Sequence, residues 1–161
     1  MRAGVPRCHS PPVTTEPTIR PAQAADPEAI WRLLGELVIS FRPDREAFDP
    51  TLDELLARLD ALVLVAEMPD LGVVGYLVAS CRTSLLANGR EVWVAELIAD
   101  ERVRRTGVGR PLVARAEDWA RAQRAAQLTL ATSRATGRPG PCGRLSGRHH
   151  VRALCPGSHP C

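Results

Sequence analysis

The chain has 161 residues and a formal net charge of +3, which fits one domain and is too mild to make nucleic acid the expected partner. Hydrophobic residues make up 45% and can supply a core, but aromatics are only 4%, so Leu, Val and Ala must fill it. No run approaches the ~18–20 apolar residues of a membrane span, no apolar signal segment opens the chain, and Cys8, Cys81, Cys142, Cys155 and Cys161 form no disulfide framework over the globular part, so the cytoplasm is the expected compartment.

Residues 1–17 hold Pro6, Pro11, Pro12 and Pro17 without apolar periodicity and read as a disordered leader. Thr18-Ile19-Arg20 reads as a short first strand ended by Pro21. Asp26-Pro27-Glu28 is a helix start: a cap, a proline at the first position and an early acid. Ile30, Leu33, Leu34, Leu37 and Val38 then repeat at helical spacing. A second helix is predicted to start at Asp49-Pro50 or Thr51, with Glu54 placed for a capping box and Leu52, Leu55, Leu56 and Leu59 as a core-packing stripe. Ala61–Ala66, Val73–Cys81 and Glu91–Ala99 are β-rich runs, punctuated by the turn at Met68–Gly72 and the hairpin signal Asn88-Gly89. A helix from Val108 to Ala122 would bury Leu112, Val113, Ala116, Trp119 and Ala120, and Gln127–Ala131 reads as a fifth strand.

Between the fourth strand and that last helix lies Arg104-Arg105-Thr106-Gly107-Val108-Gly109. Strand, basic glycine loop, helix is an arrangement that cradles phosphate, because glycines let backbone N–H groups approach its oxygens and the helix start adds partial positive charge. A P-loop needs a lysine after its second glycine, and this chain has none; all 21 basic residues are arginine. A Rossmann fingerprint wants a third glycine where Leu112 stands and a later acidic residue, and no acid follows Asp118.

The segment Leu97–Leu112, with its strand and helix, resembles the coenzyme A loop of the GNAT N-acetyltransferase superfamily. The family signature Arg/Gln-x-x-Gly-x-Gly/Ala reads here as Arg104-x-x-Gly107-x-Gly109, and Arg105 stands where many members carry glycine. The resemblance implies an acetyltransferase-like domain over residues 18–137, of α/β (α+β) class. Its central sheet would be mixed, mainly antiparallel, flanked by helices and splayed between the fourth and fifth strands. It further implies acetyl-CoA as acyl donor. Arg104, Arg105, Thr106, Gly107, Val108, Gly109 and Arg110 would bind its pyrophosphate, and the strand edge at Leu97, Ile98 and Ala99 would pair with its pantetheine arm. The first two helices and the loop Ser40–Phe48 would line the acceptor site. The implied acceptor is a primary amine of a small molecule or a peptide. No membrane partner is expected, and a homodimer is left open.

Amine acetylation requires a base for the amine, polarisation of the thioester carbonyl and a proton for the leaving thiolate. Glu96, inside the apolar fourth strand, is the candidate base; strict alternation would place it with Val94 and Ile98, where apolar neighbours would raise its pKa. A solvent-facing or salt-bridged Glu96 is the structural alternative. A backbone N–H near Ile98 would polarise the carbonyl. Glu91 and Asp100, at the strand ends, read as surface residues, Cys81 as a small buried one, and Tyr76 as core or surface. The family's acid, a tyrosine on a helix after the fifth strand, has no counterpart after Ala131. No placed Ser or Cys nucleophile is visible, so attack would be direct.

Residues 138–161 are an irregular basic tail rich in Pro, Gly, Cys and His, without acids or aromatics. Its composition predicts no further strands, leaving the C-terminal half of the fold incomplete and the fifth strand with an unpaired edge. Cys142, His149, His150, Cys155, His159 and Cys161 are zinc-type ligands without paired Cys-x-x-Cys spacing, and no metal site is assigned. A frame-shifted or truncated terminus fits the abrupt change better. The rival function is therefore a non-catalytic CoA binder, an inactive remnant of an acetyltransferase. A nucleic-acid role would rest on the late arginines alone, with no aromatic to stack on bases.

Overall fold

Alternating Val, Leu and Ala in the middle of the chain build three long strands, and everything else packs on them. The computed structural model describes residues 16–37, 43–132 and 148–154. Its strands are β1 (Thr18–Pro21), β2 (Ala61–Met68), β3 (Gly72–Ser84), β4 (Gly89–Ala99), β5 (Gln127–Thr132) and β6 (Arg148–Ala153). They form one sheet in chain order, antiparallel throughout except for the parallel β4–β5 pair. This is the mixed, mainly antiparallel sheet that the resemblance implies.

Two cores lie on opposite faces. Helix α3 (Gly109–Ala122) sets Leu112, Ala116 and Ala120 against Leu64, Leu77, Ala79, Val92 and Val94. Helices α1 (Pro27–Leu37) and α2 (Arg45–Ala57) set Ile30, Leu33 and Leu52 against Val63, Val65, Tyr76 and Ile98. Gly75 makes the α3 side possible. A Cβ there would stand 2.9 Å from the Ile98 carbonyl oxygen and 3.3 Å from Val108, so the start of α3 sits directly on the glycine.

Several boundaries differ from the sequence reading. Helix α2 starts at Arg45, not near Thr51, because Asp44 is the cap; its carboxylate accepts from the Glu46 N–H at 3.1 Å. Pro50 lies inside the helix, and the Thr51 hydroxyl donates back to the Ala47 carbonyl at 2.7 Å instead of capping. The helix ends at Ala57, so Leu59 is 93% exposed and outside its stripe. Helix α1 starts at Pro27 as predicted, but the Asp26 carboxylate turns away from it, to Arg20 and the Gln23 N–H.

The tail is also corrected. Arg148–Ala153 pairs with β5 from Thr132↔Arg148 to Gln127↔Ala153, and the Leu154 N–H donates to Ala126. The edge of β5 is therefore paired. Backbone hydrogen bonding along a six-residue strand does not require the apolar alternation that the composition lacks, and Leu154 anchors its end in the core. Residues 1–15, Ser40–Arg42, Cys142, Cys155, His159 and Cys161 lie outside the described residues.

Candidate active site

One irregularity in β4 decides what faces what. Across the β3–β4 hairpin, Ala79 opposes Val94 but Val78 opposes Glu96, so Ala95 is an extra residue, a β-bulge. The bulge reverses the alternation. Val92 and Val94 point to the α3 side, whereas Glu96 and Ile98 point to the α1–α2 side. Val94 thus does not share a face with Glu96, as simple alternation had it.

The same region opens the sheet. The parallel ladder between β4 and β5 runs from Glu91↔Gln127 to Val94↔Leu130 and stops, so Ala95–Ala99 has no strand on that side among the described residues. The Asp100 N–H donates to the Val74 carbonyl at 2.8 Å. By antiparallel alternation the N–H of Ile98 also points to β3, and those of Leu97 and Ala99 point into the opening. The backbone donor expected near Ile98 therefore belongs to its neighbours.

The glycine loop lies at the end of this opening. Asp100 caps a short 3-10 turn, Glu101–Val103, and Val103 and Val108 are buried anchors on either side of the loop. Thr106 is folded inward, its hydroxyl donating to the Val103 carbonyl at 2.7 Å. Arg105 and Gly107 both take left-handed φ values, 70° and 96°. Among the described residues, the N–H groups of Arg105, Gly107, Val108 and Gly109 have no protein acceptor, and the Arg105 and Arg110 guanidiniums pair with no carboxylate. Free amides, unpaired cations and a helix start suit a diphosphate. Arg104 is differently occupied: Nε donates to the Ala99 carbonyl at 3.2 Å and Nη2 to Glu36 at 3.4 Å.

Below the loop, α1 is locked to it. Asp100, read from sequence as a surface residue, is only 2% exposed and accepts from Arg102 and from Arg32 of α1, each at 2.7 Å. The Arg102 hydrogen bonds outweigh burial, with Arg32 adding to them, and hold its carboxyl far below the usual aspartate range. Glu91 is likewise buried, 4% exposed, and not on the surface. Burial pushes its pKa up, but hydrogen bonds from Thr129 (2.6 Å), Gln127 (3.1 Å) and Arg82 (3.2 Å) bring the net shift below the ordinary value. That cluster ties β3, β4 and β5 together at the closed end of the opening.

On the α1–α2 face lies a cavity of about 280 Å³. Ile30, Leu34, Phe48, Leu52, Val63 and Val78 line it, with Glu96 and the Tyr76 ring. Of the predicted lining loop, Pro43, Asp44, Ala47 and Phe48 take part, the last two from helix α2 rather than from a loop. Glu96 is half-buried, and the Tyr76 hydroxyl donates to its Oε2 at 2.7 Å. Tyr76 is 1% exposed; burial, then the charge and hydrogen bond of Glu96, raise its pKa far above the ordinary phenol value. It keeps its proton and anchors the carboxylate. Sequence reasoning left Tyr76 without a role, because its meeting with Glu96 depends on the bulge.

These features match a known family. A family model described as "Acetyltransferase (GNAT) family" matches residues 29–138, more than half of the sequence. The chain belongs to the GNAT acetyltransferase family. Among solved structures it is similar to glucosamine-6-phosphate N-acetyltransferase from Arabidopsis thaliana, at 18% identity and TM-score 0.64, covering 80% of this chain and 97% of that one. It is similar to the aminoglycoside antibiotic 6'-N-acetyltransferase AAC(6')-IG from Acinetobacter haemolyticus, at 24% identity and TM-score 0.61, covering 69% and 76%. It also resembles AAC(6')-Iy in complex with the bisubstrate analogue CoA-S-monomethyl-acetylneamine, at 21% identity and TM-score 0.64, covering 74% and 81%. At these identities the likeness shows the shared fold. Comparison with curated proteins gave no match. No described helix is long and apolar enough to cross a membrane.

Proposed function

We propose that this chain transfers the acetyl group of acetyl-CoA to a primary amine. The observation that carries this reading is the adjacency, on one short stretch of β4, of Glu96 in a cavity and the free edge of Leu97 in the opening that leads to the phosphate-type loop. In this reading Arg105, Gly107, Val108, Gly109 and Arg110 hold the diphosphate, Thr106 shapes the loop because its N–H and hydroxyl both donate to Val103, and Arg104 braces the loop against β4. The free edge at Leu97 and Ala99 receives the pantetheine arm, while Ile98 contributes its buried side chain rather than its amide. The Leu97 N–H is the donor nearest Glu96 along the strand and serves the thioester carbonyl.

The amine nitrogen bonds to the acetyl carbon, the carbon–sulfur bond breaks, and the amine proton passes to Glu96. The thiolate takes a proton from water, since Tyr76, the only tyrosine in the sequence, is committed to Glu96. The absence of a second tyrosine from the sequence is what favours the second reading, a CoA binder without turnover.

Thiol release from acetyl-CoA against a panel of amines tests the proposal. Turnover is expected, and Glu96→Gln should lower kcat by about a hundredfold, the scale of a lost general base, with acetyl-CoA affinity unchanged. Tight acetyl-CoA binding with no turnover of any amine would favour the inert binder.

A further inference from the structure

The cavity on the α1–α2 face has a lining that selects among amines. Ile30, Leu34, Phe48, Leu52, Val63 and Val78 supply an apolar wall, and the charged groups among its described lining residues are two acids, Glu96 and Asp44, with no base. Glu96 already has one oxygen committed to Tyr76, which fixes the carboxylate within the wall. The wall itself is held in place: Trp31 of α1 meets Phe48 of α2 edge to face at 5.1 Å between ring centroids, and Arg45 lies over both rings.

Resting on the acetyltransferase reading, we infer that the acceptor is an apolar primary amine, an alkyl or arylalkyl ammonium, and not a polyhydroxylated amino sugar. The ammonium meets the acids, and the hydrocarbon body fills the cavity. Each methylene moved from water to such a wall strengthens binding by about fourfold. Each sugar hydroxyl brought against it loses its water without a replacement, weakening binding by about fivefold to a hundredfold. A body of about 280 Å³ is also small, so long polyamines and protein side chains on a folded surface fit poorly. The structural relatives named for glucosamine-6-phosphate and for aminoglycosides share this fold but not, on this inference, the acceptor.

The test uses the full chain with saturating acetyl-CoA. Butylamine, pentylamine, hexylamine and 2-phenylethylamine are compared with glucosamine 6-phosphate and neamine. The inference expects kcat/KM to rise about threefold or more per added methylene and phenylethylamine to exceed both amino sugars by at least about tenfold. A flat chain-length series, or an amino sugar turned over as well as phenylethylamine, overturns it. Should no amine react, calorimetric titration of hexylamine and of glucosamine 6-phosphate decides the matter: hexylamine binding more tightly supports the inference, and equal or weaker binding refutes it. A parallel titration with acetyl-CoA separates the two levels. Donor binding with no apolar preference sinks this inference alone, whereas a chain that binds no donor loses the transferase reading while the amine titration still judges the cavity.

Discussion

Arg105 holds a φ of 70° in a loop where glycine would be unstrained. A side chain in the left-handed region costs about 1–2 kcal/mol, against about 0.5–1 kcal/mol of extra chain entropy lost by glycine. Arg105→Gly should therefore raise stability by up to about 1.5 kcal/mol in urea unfolding, and a loss of stability would show that the guanidinium contributes more than the strain. That this position departs from the glycine of its relatives was legible in the sequence; that it adopts the glycine conformation all the same was not. The place of Glu96 was legible too, as an acid in the middle of an apolar run. Its partner Tyr76 was not, because pairing by simple register would have put the two on opposite faces of the sheet.

At the scale of elements, the bulge at Ala95 is what the pattern of residues concealed. Val92, Val94, Glu96 and Ile98 look like one face in a regular strand, and only the β3 partners reveal the extra residue. The start of α2 was hidden for a different reason: Asp49-Pro50 imitates a helix start, while the real cap is Asp44. Gly75 shows how closely the elements approach. Gly75→Val should destabilise by about 1–3 kcal/mol through overpacking against Val108 and Ile98. A denaturation midpoint equal to that of the parent would mean that α3 does not sit on β3 as described.

The clamp of Arg32, Asp100 and Arg102 joins α1 to the loop. Because the folded state depresses the Asp100 pKa, its contribution to stability is complete above the ordinary aspartate value and is lost as pH falls through the lower folded value. Stability should thus decline from about pH 4 downward. Asp100→Asn keeps an oxygen for the Arg102 N–H but loses the charge, so it should cost about 2 kcal/mol at neutral pH and fall less steeply on acidification. Parallel acid profiles for parent and variant would contradict the assignment.

For the whole molecule, the order of strands and helices up to β5 was readable from periodicity and turn residues, because each element had to fill one of two cores around the same long strands. Strand β6 was not readable, since it is held by backbone hydrogen bonds that composition does not encode. β6 lies beyond residue 137, where the sequence reading ended the domain, yet it pairs in the same sheet as β5, and Leu154 joins the core.

The account as a whole rests on the loop before α3 receiving the diphosphate of acetyl-CoA. Gly107 is a strained place to test this, with its φ of 96°, but a Cβ at Gly109 meets nothing closer than Leu97 at 3.8 Å. An aspartate at the start of a helix is favourable for folding, so Gly109→Asp sets a carboxylate among the free amides without unfolding the chain. Calorimetric titration of both proteins with acetyl-CoA should show one site in the parent and affinity reduced by at least about tenfold in the variant, the scale of a lost charge-assisted contact. No heat from the folded parent, or equal affinity in the two, would contradict it.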